Sequence, residues 1–164
     1  MGVPQKRERV FFICQRNELK FKPLKLAFDE NPINYGQLRL NGISDMTFTE
    51  YDLEMWQKRI DGDRDYGYIL KRIKGKESNW NSKFIYDNEV CQTITSTSGS
   101  KLISAQEPKH LSKDELKMCG SYPLDYNFKN IEPKYLIGMS VPPVMTAQIA
   151  HEIYLQWLKQ LINN

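Results

Sequence analysis

Apolar positions along the chain change their spacing several times, and each change marks an element. Val10-Phe11-Phe12-Ile13-Cys14 is a nearly continuous run of strand-favouring residues, the pattern of a strand covered on both faces. Such a strand needs neighbours, and no comparable run stands before it. The expectation is a truncated protein or one that works with a partner. Immediately upstream, Pro4 leads into Gln5-Lys6-Arg7-Glu8-Arg9. In an extended chain residues two apart face the same way, so Gln5, Arg7 and Arg9 are expected along one side and Lys6 and Glu8 along the other. The row Gln5, Arg7, Arg9 is a set of donors suited to phosphate or base oxygens. The same residues also fit a solvated charged turn ahead of a strand.

Farther along, Thr49 is placed to cap a helix with Asp52 in its first turn, with Leu53, Trp56 and Ile60 on one face and Gly62 as its stop. Tyr66 to Ile73 reads as a strand in which aromatic and basic residues interleave (Tyr66, Tyr68, Lys71, Arg72). That pattern suits a nucleic-acid surface and equally an exposed edge strand protected by lysines. Cys91 to Ser100 reads as a strand giving way to a polar loop. Ser112 followed by Glu115 is a capping-box start for a short helix closed by Gly120, and a turn follows over Tyr122 to Tyr126. Pro142 or Pro143 opens a long helix. There Met145, Ile149, Ile153, Trp157 and Leu161 form one stripe beside Ala150, Tyr154, Leu158 and Ile162. A face that broad is expected to dock on something larger than the rest of the chain offers.

Composition narrows the class. Of 164 residues, 40% are hydrophobic and 26% charged, the balance of a folded soluble domain rather than a disordered chain. A net charge of +3 is mild. Its clustering is more telling, because Lys6, Arg7, Arg9, Arg16, Lys20, Lys22 and Lys25 face only Glu8 and Glu18 near the start. Cys14, Cys91 and Cys119 have no metal-ligand spacing and no evident activating base, so a reducing, cytoplasmic setting is expected. No apolar run is long enough for a membrane span. His110 and His151 stand isolated, and no phosphate loop or nucleophile elbow is present.

The order of motifs carries more. Pro4 through Val10, then Ile13 and Arg16-Asn17-Glu18-Leu19, resembles the eighth motif of the DNA cytosine-5 methyltransferases. Lys109 to Glu115, continuing through Gly120-Ser121-Tyr122-Pro123-Leu124-Asp125-Tyr126, is similar to their ninth motif, and Gly138-Met139-Ser140-Val141-Pro142-Pro143-Val144 to their tenth. Thr93-Ile94 resembles the family's Thr-Leu element. Two positions depart from the pattern: Asp114 replaces an arginine, and Met139 replaces an asparagine. The family's Phe-x-Gly-x-Gly cofactor loop, Pro-Cys nucleophile and Glu-Asn-Val motif are not in this sequence; Cys14, Cys91 and Cys119 follow Ile13, Val90 and Met118.

The resemblance implies a mixed α/β chain, the C-terminal part of an S-adenosylmethionine-dependent methyltransferase fold of phage or bacterial type. Residues 1–21 would end the catalytic domain with the eighth-motif strand. Residues 22–105 would be a small α+β target-recognition domain, and residues 106–164 would return to the catalytic domain and give it the C-terminal helix. It further implies that Arg7 and Arg9 hold a flipped cytosine and nearby phosphates, since the target atoms cannot be reached inside the duplex. Gln5, Thr93, Thr95 and Ser98 would add DNA contacts, and Gly138, Ser140 and Val141 would contribute part of the S-adenosylmethionine site. The expected partners are double-stranded DNA and a second chain bearing the N-terminal catalytic motifs, inside a bacterial or phage-infected cell. An inactive DNA-binding remnant of an interrupted gene is the alternative.

Overall fold

Two capping boxes form as their spacing dictates. In the computed structural model, which describes residues 1–75, 78, 80, 82–97 and 99–162, Thr49 caps helix α1 (Glu50–Gln57) through Asp52, and Ser112 caps helix α3 (Lys113–Cys119) through Glu115. The buried face of α1 is Asp52 and Met55, whereas Leu53 and Ile60 lie exposed, so the expected stripe is displaced around the helix. Gly120 ends α3 with an ordinary right-handed backbone, and Ser121 takes the positive φ of 60° instead.

Tyr66 to Ile73 is not a strand. It forms helix α2 (Tyr66–Lys74), because Asp65 caps its start and Gly75, at φ 68°, closes it in the left-handed conformation that favours glycine. Tyr66, Ile69 and Leu70 then fall on one buried face, a spacing that fits a helical repeat.

The sheet is small. Strand β1 (Ser82–Ile85) pairs in parallel with β2 (Lys101–Ser104), Ser82 opposite Lys101 and Ile85 opposite Ser104. Antiparallel bridges extend it on both sides, Asp65 with Lys83 and Ile103 with His110. Strand alternation sends Phe84 and Ile103 toward one core, with Met55, Tyr66, Ile69 and Leu70 of α1 and α2. It sends Ile85 and Leu102 toward a second core built with Tyr35, Cys91, Ile94, Leu111, Leu116, Cys119, Phe128 and Ile137. This second core draws on residues from both sides of position 105.

Helix α4 (Pro133–Met139), capped by Glu132 with proline in its first turn, has no counterpart in the expected pattern. Helix α5 (Pro143–Ile153) runs through a π-helical turn, Tyr154–Leu158, into α6 (Lys159–Ile162). Met145, Ile149 and Trp157 are buried, and Trp157 stacks on Phe21 and donates to the Lys22 carbonyl. Tyr154, Leu158 and Ile162 of the second stripe stay exposed.

Val10 to Cys14 also differs from expectation. It is extended chain without a sheet partner, with Val10 80% and Phe12 90% exposed. A parallel or central strand forms only against neighbours that satisfy its backbone groups, and no described segment lies beside this one to do so. The Cys91–Ser100 strand is likewise reduced to one parallel bridge, between Gln5 and Cys91. No helix among the described residues is long and apolar enough to cross a membrane.

Candidate nucleic-acid interface

The bridge at Gln5 sets the geometry of the arm. Lys6 N–H donates to the Cys91 carbonyl at 2.8 Å, and the Thr93 hydroxyl donates to the Lys6 carbonyl. The chain at residues 5–7 is therefore laid against 91–94, which directs Arg7 into the interior.

Arg7 is 7% exposed and is held by groups from two distant segments and by its neighbour Gln5. One terminal nitrogen donates to the Ile94 carbonyl at 3.0 Å and to Gln5 Oε1 at 3.3 Å. The other donates to the carbonyls of Gly138 at 2.7 Å and Ser140 at 2.6 Å. Arginine's fixed fork suits this task, since charge-assisted bonds to carbonyls hold backbone in place without a carboxylate. Gln5 is buried with it and donates from Nε2 to the Cys119 carbonyl at 3.5 Å.

Arg9 has the opposite fate. It is exposed, and its guanidinium reaches only the Glu8 carbonyl among the described residues. The expected single row of Gln5, Arg7 and Arg9 is thus divided: the first two point inward and the third outward.

The tenth-type segment meets the arm at close quarters. A Cβ on Gly138 would stand 2.3 Å from the Ser96 nitrogen and 2.5 Å from the Thr95 carbonyl carbon, so only glycine lets these two backbones touch. Thr95 thereby serves through its backbone, and Thr93 through its hydroxyl bond to the arm. Ser98 lies outside the described residues.

The ninth-type segment supplies a buried hub. Glu115 is fully buried and accepts from the Tyr35 hydroxyl (2.8 Å), Leu40 N–H (2.9 Å), Ser112 N–H (2.7 Å) and Lys109 Nζ (3.0 Å). Lys109 is the buried cation, where the family pattern places an arginine directly before the glutamate. Asp114, at that departed position, is exposed and pairs with Lys117 on its own helix. Four donors on one carboxylate satisfy a charge that burial would otherwise expel.

A second polar cluster went unseen in the sequence. Asp52 is buried and accepts from Thr49, Tyr66 (2.9 Å) and Lys101 (2.9 Å). Burial works against its charge, but the hydrogen bonds from Lys101, Thr49 and Tyr66 prevail and hold the carboxyl well below its usual range. His110 Nε2 stands 3.4 Å from Asp52 Oδ2 without hydrogen-bond alignment, and burial pushes its pKa below the ordinary histidine value against Asp52's attraction. Only the folded chain unites these residues, which are 49 or more positions apart for Asp52 and Lys101.

None of the three thiols is set beside an activating base among the described residues. Cys91 and Cys119 are buried, and the neighbouring Cys91 thiol, with burial adding, pushes Cys119 well above the usual thiol range. Cys14 is exposed in the unpaired stretch. The cofactor-facing expectation for Gly138, Ser140 and Val141 meets a similar limit. The carbonyls of Gly138 and Ser140 are taken by Arg7, and the Ser140 hydroxyl donates to the Ile137 carbonyl at 3.0 Å. Helix α5 opens on prolines without N–H groups, and Val144 N–H donates to Ser121 Oγ. These residues by themselves do not fit a site for the polar end of S-adenosylmethionine. No grouping of histidine, cysteine and carboxylate residues among the described residues fits a metal ion.

Comparison with known proteins agrees with the motif order. The family model for C-5 cytosine-specific DNA methylase matches residues 1–155, a span that contains the arm, the hub and the tenth-type segment. No curated protein matches the chain. Because the match covers nearly the whole length, the chain belongs to the C-5 cytosine-specific DNA methylase family.

Proposed function

We propose that this chain is the C-terminal DNA-recognition portion or subunit of a DNA cytosine-5 methyltransferase, with the catalytic cysteine carried on a separate N-terminal part. The observation that supports it most is the convergence at Arg7. The eighth-type arm, the Thr93-Ile94 element and the tenth-type segment meet on one guanidinium, while no described thiol at that place is poised for attack. In this reading residues 22–105 read double-stranded DNA, and residues 1–21 and 106–164 return to the catalytic domain.

The roles of the two arginines separate. Arg9, exposed and two residues beyond the buried Arg7, is the group that holds the flipped cytosine or its phosphate; Arg7, the clamp, holds the Ile94 and tenth-type backbone in register. Because Arg7 takes the Gly138 and Ser140 carbonyls, the polar contacts to the cofactor are assigned to the companion part and not to Gly138, Ser140 and Val141. S-adenosylmethionine supplies the methyl group when bound. The residues of this chain orient the base and exclude water rather than form bonds to it. The unpaired run Val10–Cys14 and the exposed stripe of Tyr154, Leu158 and Ile162 are the surfaces that meet the companion.

The test is an Arg9→Ala exchange in the assembled enzyme. Turnover is expected to fall further than DNA affinity, because a contact to the flipped base acts most strongly in the reacting state. Equal losses in both would make Arg9 a phosphate anchor only.

A further inference from the structure

We propose that the groove between Gly62–Tyr68 and Lys83–Gln92 grips DNA, with Arg64 and Lys83 on backbone phosphates and Gln92, which lines the same groove as Tyr68, on a base edge. The proposal rests on the DNA-recognition reading above and gives that reading a place and a set of residues.

The groove encloses about 420 Å³ and is lined by Arg64, Asp65, Tyr68, Lys83, Glu89 and Gln92 over a floor that includes Phe84. Its shape follows from the sheet edge. Asp65 bridges to Lys83, and Phe84 N–H donates to the Arg64 carbonyl at 2.9 Å, so Arg64 and Lys83 are held on neighbouring extended strands. Both acidic groups in the lining are already committed. Asp65 caps α2 by accepting from Tyr68 N–H at 3.2 Å, and Glu89 pairs with Lys6 at 3.2 Å. Among the described residues Arg64 and Lys83 have no side-chain hydrogen bond or ion pair. With Lys6 on Glu89 and the charge of Asp65 retained, the groove keeps an excess of one positive charge, two cations without side-chain partners, an open aromatic ring and a primary amide.

That combination fits a nucleic-acid strand better than a small anion. Two cations without side-chain partners lining one groove can take separate phosphates, the half-exposed Tyr68 offers a stacking face, and an amide presents the donor–acceptor pair that reads adenine. The groove is also continuous with the eighth-type arm. Glu89 holds Lys6, and Thr93, next to Gln92, holds the Lys6 carbonyl, so DNA in the groove would pass toward Arg9.

The test uses the full chain with a labelled duplex, followed by anisotropy as salt is raised from about 50 to about 200 mM. Each phosphate contact adds about 0.9 to the slope of log affinity against log salt, so Arg64→Ala with Lys83→Ala is expected to lower the slope by about two. Arg64 is exposed and Lys83 half-buried, and an unchanged melting temperature verifies the fold. Gln92→Ala is expected to leave the slope intact and to cut preference among randomised duplexes by about tenfold. Inorganic phosphate at matched ionic strength is expected not to displace the duplex. A slope unchanged in the double variant while the parent chain binds would overturn the groove and leave the DNA-recognition reading standing. Preference unchanged in Gln92→Ala would overturn the base contact, and displacement by phosphate would reduce the site to one for simple anions. No binding by the parent chain would remove both readings together.

Discussion

Residues 5–7 and residues 10–14 belong to one short run of chain, yet their surroundings are opposite. Around Arg7 most polar groups are matched: both terminal nitrogens of the fork are bound while its Nε is buried without a partner, Gln5 is bound at both ends of its amide, and Gly138 admits the facing backbone without a gap. A few residues later Val10 and Phe12 project outward, and their backbone has no ladder. The first region is self-sufficient, and the second has the composition of a buried strand without the burial. The difference teaches where the chain's own groups satisfy one another and where the proposed companion would be needed. It also explains why Arg7 and Arg9, chemically alike and two positions apart, take different work.

The comparison breaks most forcefully at the hub and the clamp. Glu115→Ala leaves Lys109 buried without its carboxylate and three donors unmatched, and is expected to cost about 3–5 kcal/mol in urea denaturation. Asp114→Ala, one position away, is expected to change stability by less than about 0.5 kcal/mol. Arg7→Ala frees the Ile94, Gly138 and Ser140 carbonyls and is expected to cost about 3 kcal/mol, against less than about 0.5 for Arg9→Ala. Equal effects from the two arginines would contradict the division between them.

Smaller effects sharpen the same contrast. Gly138→Ala forces a methyl against the Thr95–Ser96 backbone, which cannot yield as a flexible side chain would; about 1–3 kcal/mol is expected. Acid should weaken the fold through His110. Its folded pKa is depressed by burial, so the unfolded chain takes up a proton that the folded chain refuses. The stability it contributes is whole above the ordinary histidine value of about 6.5 and is lost as pH falls toward the folded value. Melting curves between pH 7 and pH 5 should show this decline, and His110→Gln should flatten it. Phe12→Ser is expected to leave the melting temperature of the chain alone unchanged while weakening its association with the companion, measured by pull-down.

How much of this was legible follows from distance along the chain. Thr49 and Ser112 announced their helices because a cap and its partner lie three residues apart. Tyr66 to Ile73 misled because aromatic and β-branched residues suggested a strand, while Asp65 and Gly75, which bound the segment as a helix, lay just outside the window. Helix α4 escaped for a related reason: its signal is one glutamate and one proline at 132 and 133, not an apolar period. The role of Arg7 was illegible, since apart from Gln5 its acceptors stand 87 to 133 residues away and are main-chain carbonyls, which any residue type provides. The same holds for Asp52, Lys101 and His110, whose association depends on the two-strand sheet and α1. The motif order, by contrast, led to the family directly, although it did not tell which arginine faces outward.

The most direct measurement is transfer of a labelled methyl group from S-adenosylmethionine to duplex DNA. It would compare this chain alone, a polypeptide bearing the Phe-x-Gly-x-Gly, Pro-Cys and Glu-Asn-Val motifs alone, and the two together. Transfer to cytosine C5 by the mixture, and by neither component separately, is the expected result. Transfer by this chain alone, or none by the mixture at saturating cofactor, would contradict it.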